Sequence, residues 1–250
     1  MNTISLPLLI VIPLGTAFLI PIIARKKGFI ADMLGSGATL AILVLSILLF
    51  RYKGVYSIGG WEPPVGISWV QEGFSNLMLV IVSLISFCAT LFSIQYMKRY
   101  TSKYKYYSLF LLMVTGMNGV ILTGDMFNLF VFLEIAAVAS YALVAFGGEH
   151  EELEASFKYL VLGSVGSSFI LLGIGLLYGM TGYLNMAAIA NNLGGSNNML
   201  VLLATVFFIV GFGIKAAMVP FHPWLPDAHP SAPAPISAML SGVLIKALGI

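Results

Sequence analysis

The chain holds a single cysteine, Cys88, among 250 residues. It therefore has no internal disulfide, and no zinc or iron–sulfur ligand set is possible. Charge is equally scarce. The 12 basic and 10 acidic side chains make up 9% of the chain, where a soluble domain carries about 25%. So few charges do not cover a water-exposed surface, and 59% of the residues are hydrophobic. An ordinary soluble domain and a disordered chain are both excluded. One core of this length would leave its apolar excess in water, so the solvent is lipid. The net charge of +2 is too small to point to nucleic acid. Met1-Asn2-Thr3-Ile4-Ser5 has no basic start, so the first apolar run reads as a spanning helix and not as a cleaved signal.

What is present is a series of long apolar runs. A spanning helix needs about 20 apolar residues, and about eight candidates lie at 5–24, 29–50, 74–96, 106–122, 126–146, 156–180, 199–219 and from 235 onward. The fold class is an all-α integral membrane protein. Residues 1–105 hold three helices and the loop 51–73, where Gly59-Gly60-Trp61-Glu62-Pro63-Pro64 forms turns and 65–71 suits a short hairpin. Residues 106–250 hold the fourth to eighth helices, the eighth incomplete. The loop 147–155 is acidic, and 183–193 reads as a short interfacial helix capped by Asn185 and ended by Gly194. Arg25, Lys26, Lys27, Lys98, Arg99, Lys103, Lys105 and Lys158 lie on one side, against Arg51 and Lys53 on the other. The positive-inside rule puts the first set in the cytoplasm and the N-terminus outside a cell membrane.

The segment from Lys215 to Pro235 breaks the pattern with Pro220, Pro223, Pro226, Pro230, Pro233 and Pro235. Proline removes a backbone donor and clashes with the preceding turn. Non-helical backbone survives at membrane depth only where protein or a water-filled cavity covers it, and in transporters such broken helices mark the transport site. The expectation is a seventh helix that breaks after Val219.

Several ionisable residues lie where lipid penalises them. Glu134 is about eight residues into the fifth run, about 12 Å deep at about 1.5 Å per residue. An ionised carboxylate there costs about 2.5–3.5 kcal/mol, so it needs a partner or a task. Lys215, just before the break, is its natural partner. A lysine in an apolar setting gives up a proton near neutral pH, and a nearby carboxylate holds it charged, so the two form a two-state switch. A static anchor is the plainer reading of Lys215. Lys246 is a second lysine in an apolar run, or else an interface anchor. His222 and His229 flank the break and suit proton relay or capping of broken helix ends; their spacing around Asp227 fits no standard metal site. Asp125 is an N-cap of the fifth helix or an ion-entry group. Lys158, at the start of the sixth helix, is a path residue or an interface anchor.

Other patterns carry less. Gly211-Phe212-Gly213-Ile214-Lys215-Ala216 matches a dinucleotide fingerprint but lies in an apolar helix without the required strand. His150-Glu151-Glu152-Leu153-Glu154 lacks the second histidine of a zinc protease. Gly175 and Gly179 read as a helix-packing face.

Thr123-Gly124-Asp125-Met126-Phe127-Asn128-Leu129-Phe130-Val131-Phe132-Leu133-Glu134 resembles the fifth helix of the antiporter-like subunits of respiratory complex I. Gly211 to Lys215 with Val219-Pro220-Phe221-His222-Pro223-Trp224-Leu225-Pro226-Asp227-Ala228-His229 resembles that family's broken seventh helix. Ala155-Ser156-Phe157-Lys158-Tyr159-Leu160 with Gly163 is similar to its sixth-helix start. The loop Gly59-Gly60-Trp61-Glu62-Pro63-Pro64-Val65-Gly66-Ile67 is similar to the D-type large subunit of Mrp sodium/proton antiporters and to subunits of membrane-bound [NiFe] hydrogenases. The resemblance implies that Glu134 and Lys215 are the switchable pair, that Lys246 connects them to a central hydrophilic axis, and that Lys158 is the family's sixth-helix lysine. It also implies two inverted five-helix repeats, of which this chain supplies only the first. The chain is then a fragment or has its other half on a separate polypeptide.

These readings converge on a membrane subunit of a multi-subunit assembly, carrying a half-channel for protons or for sodium/proton exchange. No enzymatic activity and no cofactor are expected in this chain; the host is a Mrp-type antiporter or a hydrogenase- or NADH dehydrogenase-like machine whose redox groups lie in other subunits. The rival is a structural spacer whose buried charges lock helices together.

Overall fold

The computed structural model describes residues 6–100, 102–193 and 198–249. Ser5, Gly194 and Ile250, each part of an expected element, lie outside these residues. Lipid offers no hydrogen bonds, so each apolar run closes its backbone on itself as helix. The order is α1 (Leu8–Ile23), α2 (Gly28–Leu48), β1 (Gly54–Ser57), β2 (Ser68–Gln71), α3 (Gly73–Tyr96), α4 (Lys103–Leu122), α5 (Met126–Val144), α6 (His150–Thr181), α7 (Met186–Leu193), α8 (Met199–Lys215), α9 (Leu225–Ser231), α10 (Ala234–Met239) and α11 (Ile245–Gly249), with a π turn at Leu240–Leu244 joining the last two. Five of these helices are long and apolar enough to cross a membrane, and α1, α8 and 234–247 are shorter apolar helices.

The core follows the helix order. α4 is the central post, with Tyr106, Tyr107, Phe110 and Leu111 buried among α1, α2, α3 and α5. α6 lies between α5 and α8. Lipid supplies no hydrophobic drive between helices, so polar contacts and close approach hold them. Between α2 and α3, Thr39 and Thr90 share a hydrogen bond of 2.8 Å, and Ser83 donates to Ser46 at 3.0 Å. β1 and β2 form an antiparallel hairpin, wider than the 65–71 stretch expected. Asn76 fastens it, donating to the carbonyls of Phe50 and Tyr52 at 2.8 and 2.7 Å.

Four expectations are corrected. α6 starts at His150, so the acidic stretch is mostly helix, not loop. Glu149 and Glu152 make a reciprocal capping box there, and acidic groups favour a helix N-terminus. Lys158 is consequently in the third turn of α6, not at its start. α4 begins at Lys103, three residues before the expected start at 106. α8 ends at Lys215, not Val219. Ala217 takes a left-handed φ of 51°, and the amides of Ala217 and Met218 return to the carbonyls of Ile214 and Gly213 at 3.1 and 2.8 Å. That is a Schellman stop, with alanine where glycine is usual. Finally, Gly175 and Gly179 face open space. The close approach of α6 to α8 falls at Gly211 instead, where a Cβ would come within 2.8 Å of the Gly166 carbonyl.

Candidate functional site

The Schellman stop leaves Lys215 as the last residue of α8, its side chain only 2% exposed. Its ammonium lies 3.2 Å from Glu134 Oε1 on α5 and 3.3 Å from the Tyr141 hydroxyl on the same helix. Glu134 is not sealed: its side chain is 31% exposed. Ser167 of α6 donates to the same Oε1. Each member of the ion pair thus has a second partner already in reach.

Those partners are held from behind. Tyr141 sits over Gly163 of α6, where any Cβ would collide with its hydroxyl. Its ring meets Tyr159 edge-on, with centroids 4.5 Å apart, and Tyr159 stacks on Trp224 at 4.1 Å. Trp224 belongs to the segment beyond the break, and its indole donates to the Ile214 carbonyl at 2.9 Å. The Ile214 carbonyl also accepts from the Ala217 amide, so this second bond ties the segment beyond the break to the end of α8. Trp224, Tyr159 and Tyr141 form an aromatic column from the broken segment to Lys215.

The other candidates are dispersed. Asp125 is the N-cap of α5, accepting from the Asn128 amide at 2.8 Å. It lies where the β-hairpin and the start of α7 are knitted to α5: Gly124 donates to Ser68, and Met126 to Leu184, both at 2.9 Å. Asn185 caps α7 through the Ala188 amide at 3.1 Å. Lys158 bridges Glu154 at 2.9 Å and Asp227 at 2.7 Å on the exposed end of α6. His222 is exposed, and His229 shares a hydrogen bond of 2.8 Å with Ser237. Lys246 is exposed among the described residues and donates to the Ser241 carbonyl in the π turn. An apolar cavity of about 520 Å³, lined by Phe74, Met78, Val120, Met126 and Phe208, touches neither Glu134 nor Lys215.

Sequence reasoning missed three partners. Tyr141 had a signal, since it follows Glu134 by two helical turns and lies on the same face. Ser167 had none beyond lying in a small-residue run. The third is a second ion pair: Lys103 Nζ reaches Asp32 at 2.8 Å, with side chains 14% and 11% exposed. Both residues were legible as charges, but only the packing of α4 against α2 joins them.

A helical membrane-embedded chain whose buried lysine pairs with a partly exposed carboxylate at a broken helix defines a class of polytopic membrane protein. Comparison then narrows it. Residues 123–250 match the family model described as NADH:quinone oxidoreductase/Mrp antiporter, TM, and residues 63–107 match that of the NADH-ubiquinone oxidoreductase (complex I), chain 5 N-terminus. The chain is 39% identical to the N-type subunit of NADH-quinone oxidoreductase of Desulforudis audaxviator (strain MP104C), over 98% of this chain and 50% of that protein. It is 34% identical to the D-type subunit of the Na(+)/H(+) antiporter of Alkalihalophilus pseudofirmus (strain ATCC BAA-2126 / JCM 17055 / OF4), with the same coverage. Among solved structures, the membrane-bound sulfane sulfur reductase, an archaeal respiratory membrane complex, contains a chain with TM-score 0.93 and 36% identity, covering 99% of this chain and 52% of that one. The chain belongs to the NADH:quinone oxidoreductase/Mrp antiporter membrane family. It spans about half the length of the curated relatives it matches.

Proposed function

We propose that this chain carries one half-channel for protons, or for sodium/proton exchange, within a membrane subunit of a multi-subunit complex. The observation that carries the reading is the Glu134–Lys215 pair. A lysine buried in the helix bundle holds, at 3.2 Å, a carboxylate that is partly exposed on the bundle surface, with Tyr141 and Ser167 ready to take over when the pair opens. At an effective dielectric of about 20, two charges at about 4 Å attract by about 4 kcal/mol. That is enough to make the protonation of Lys215 depend on whether Glu134 is beside it. A charge arriving from a neighbouring subunit pulls the pair apart. Tyr141 then keeps Lys215 hydrogen-bonded while it loses its proton toward Lys246, with water and the histidines bridging. Asp125 serves as a cap in this reading. Lys158 acts by holding the post-break segment through Asp227, and so positions Trp224.

The named relatives are subunits of antiporters and of NADH-quinone oxidoreductase. By that likeness the partners of this chain are other membrane subunits, and a second five-helix repeat lies on the same or a separate polypeptide. We assign no cofactor to this chain; in a redox-driven host, electron transfer falls to other subunits. The basic residues after α1, α3 and α5 put those ends in the cytoplasm of the cell membrane and the N-terminus outside.

The test is Glu134→Gln in the assembled complex, read by dye-reported proton movement in inverted membrane vesicles. Loss of transport with assembly intact supports the reading. Transport left intact overturns it, and loss of assembly alone favours a structural spacer.

A further inference from the structure

The Asp32–Lys103 pair takes no part in the proposed path, yet its surroundings exceed what a helix-to-helix bridge needs. Lys103 Nζ lies 2.8 and 3.1 Å from the two Asp32 carboxylate oxygens and 3.2 Å from the Ile94 carbonyl near the end of α3. Three oxygens from two helices surround one cationic nitrogen. A fourth, the Tyr107 hydroxyl, lies near Asp32, is fully buried and has no hydrogen-bond partner within 3.5 Å among the described residues. Its ring is wedged on Gly35 of α2, where a Cβ would come within 2.5 Å. The hydroxyl is therefore fixed, and a buried hydroxyl without a partner is unfavourable.

The ammonium is poorly held for a permanent occupant. Lys103 is the first residue of α4, and the positive end of the helix dipole disfavours a cation there. Its stem crosses Gly28 at the start of α2, with a Cβ position 3.3 Å from its Cδ. The pair also keeps residual exposure on both sides, so Lys103 has a route to water.

We propose that the oxygens of Asp32, Ile94 and Tyr107 form a binding site for a partly dehydrated monovalent cation, which competes with the Lys103 ammonium. The class follows from the donors. Hard cations take oxygen ligands, and divalent ones gather several carboxylates. Here a single carboxylate balances a single charge, and no group of three acidic, histidine or cysteine ligands occurs among the described residues. The entering ion gives the Tyr107 oxygen the partner it lacks. Lys103 swings out still charged, and no covalent bond changes. The site is separate from Glu134–Lys215, so either proposal can fail alone.

The test uses the assembled protein in detergent and membranes, with 22Na+ binding and with potassium or choline as competitors. Lys103→Gln removes the competitor and should tighten sodium binding about tenfold, whereas Asp32→Asn should weaken it at least about tenfold and Tyr107→Phe severalfold. Potassium displacing sodium where choline does not would identify a general monovalent site, and potassium failing to displace it a sodium-selective one; both support the proposal. A second readout needs no variant. Replacing choline by sodium at constant ionic strength should raise the acylation of Lys103 in the wild-type protein, measured by peptide mass spectrometry. Unchanged acylation, or Lys103→Gln binding no more sodium than wild type while still assembled, would show a structural bridge and overturn the site.

Discussion

Two ion pairs set within the helix bundle divide this chain. Glu134–Lys215 joins α5 to the broken end of α8, and Asp32–Lys103 joins α2 to the start of α4. Each has a tyrosine at its side, and each tyrosine is wedged on a glycine of a neighbouring helix: Tyr141 on Gly163, Tyr107 on Gly35. The difference is where the alternative partners come from. Tyr141 and Ser167 already bond Lys215 and Glu134, so that pair can open without stranding either group. At Asp32 both carboxylate oxygens take the same Lys103 ammonium, and Tyr107 has no partner within 3.5 Å among the described residues. Relief there comes from outside the chain. Burial alone does not mark a switch; the neighbours that receive the separated groups do.

The sharpest way to break this comparison is charge removal. Glu134→Gln should lower transport at least about tenfold. It should also destabilise the protein by about 1–3 kcal/mol, below the value for a fully sealed pair because Glu134 is partly exposed. Adding Lys215→Met should restore thermal stability in detergent but not transport. Recovery of both would make the pair a structural lock.

The glycine wedges come next. Gly163→Ala and Gly35→Ala each overpack a tyrosine and should cost about 1–3 kcal/mol. Only Gly163→Ala should also slow transport, because it pushes Tyr141 away from Lys215. Equal transport in the two variants would erase the distinction between the pairs.

Removing the hydroxyls is gentler and differs in sign. Tyr141→Phe should lose about 0.5–1.5 kcal/mol and shift the pH profile of transport, whereas Tyr107→Phe, which deletes an unpaired group, should be neutral or slightly stabilising when sodium and potassium are low. Thermal unfolding in choline buffer reads both; a loss at Tyr107 matching that at Tyr141 would mean it has a partner.

The smallest effect belongs to Lys158→Met. Exposed ion pairs contribute little, so assembly should be unchanged and any slowing of transport should fade at high salt, as expected for a surface latch onto Asp227. A salt-independent loss as large as that of Glu134→Gln would put Lys158 in the path itself.

Much of this was legible beforehand. The apolar runs marked the helices because lipid leaves the backbone no other way to pair. Glu134 and Lys215 stood out because charge inside such runs is expensive. Asn185 announced its cap by residue type, whereas Asp125 was read as either a cap or an ion-entry group and caps α5 in the fold. The ends were less legible. α6 extends back through acidic residues that hydropathy reads as loop but a helix dipole accepts. α8 stops at an alanine in a left-handed conformation, which the sequence does not mark. Gly175 and Gly179 had the right spacing for a packing face and the wrong direction, because spacing does not say which side of a helix meets a neighbour.

The sequence by itself determined the solvent, the class of fold and the few groups whose charge lipid will not tolerate, since these depend on composition and on order along one helix. Only the tertiary structure decided which charges meet. Glu134 with Lys215, Asp32 with Lys103, and the column from Trp224 to Tyr141 each join residues far apart in the chain. Their contacts depend on the crossing of helices, which side-chain volume sets and no local pattern records.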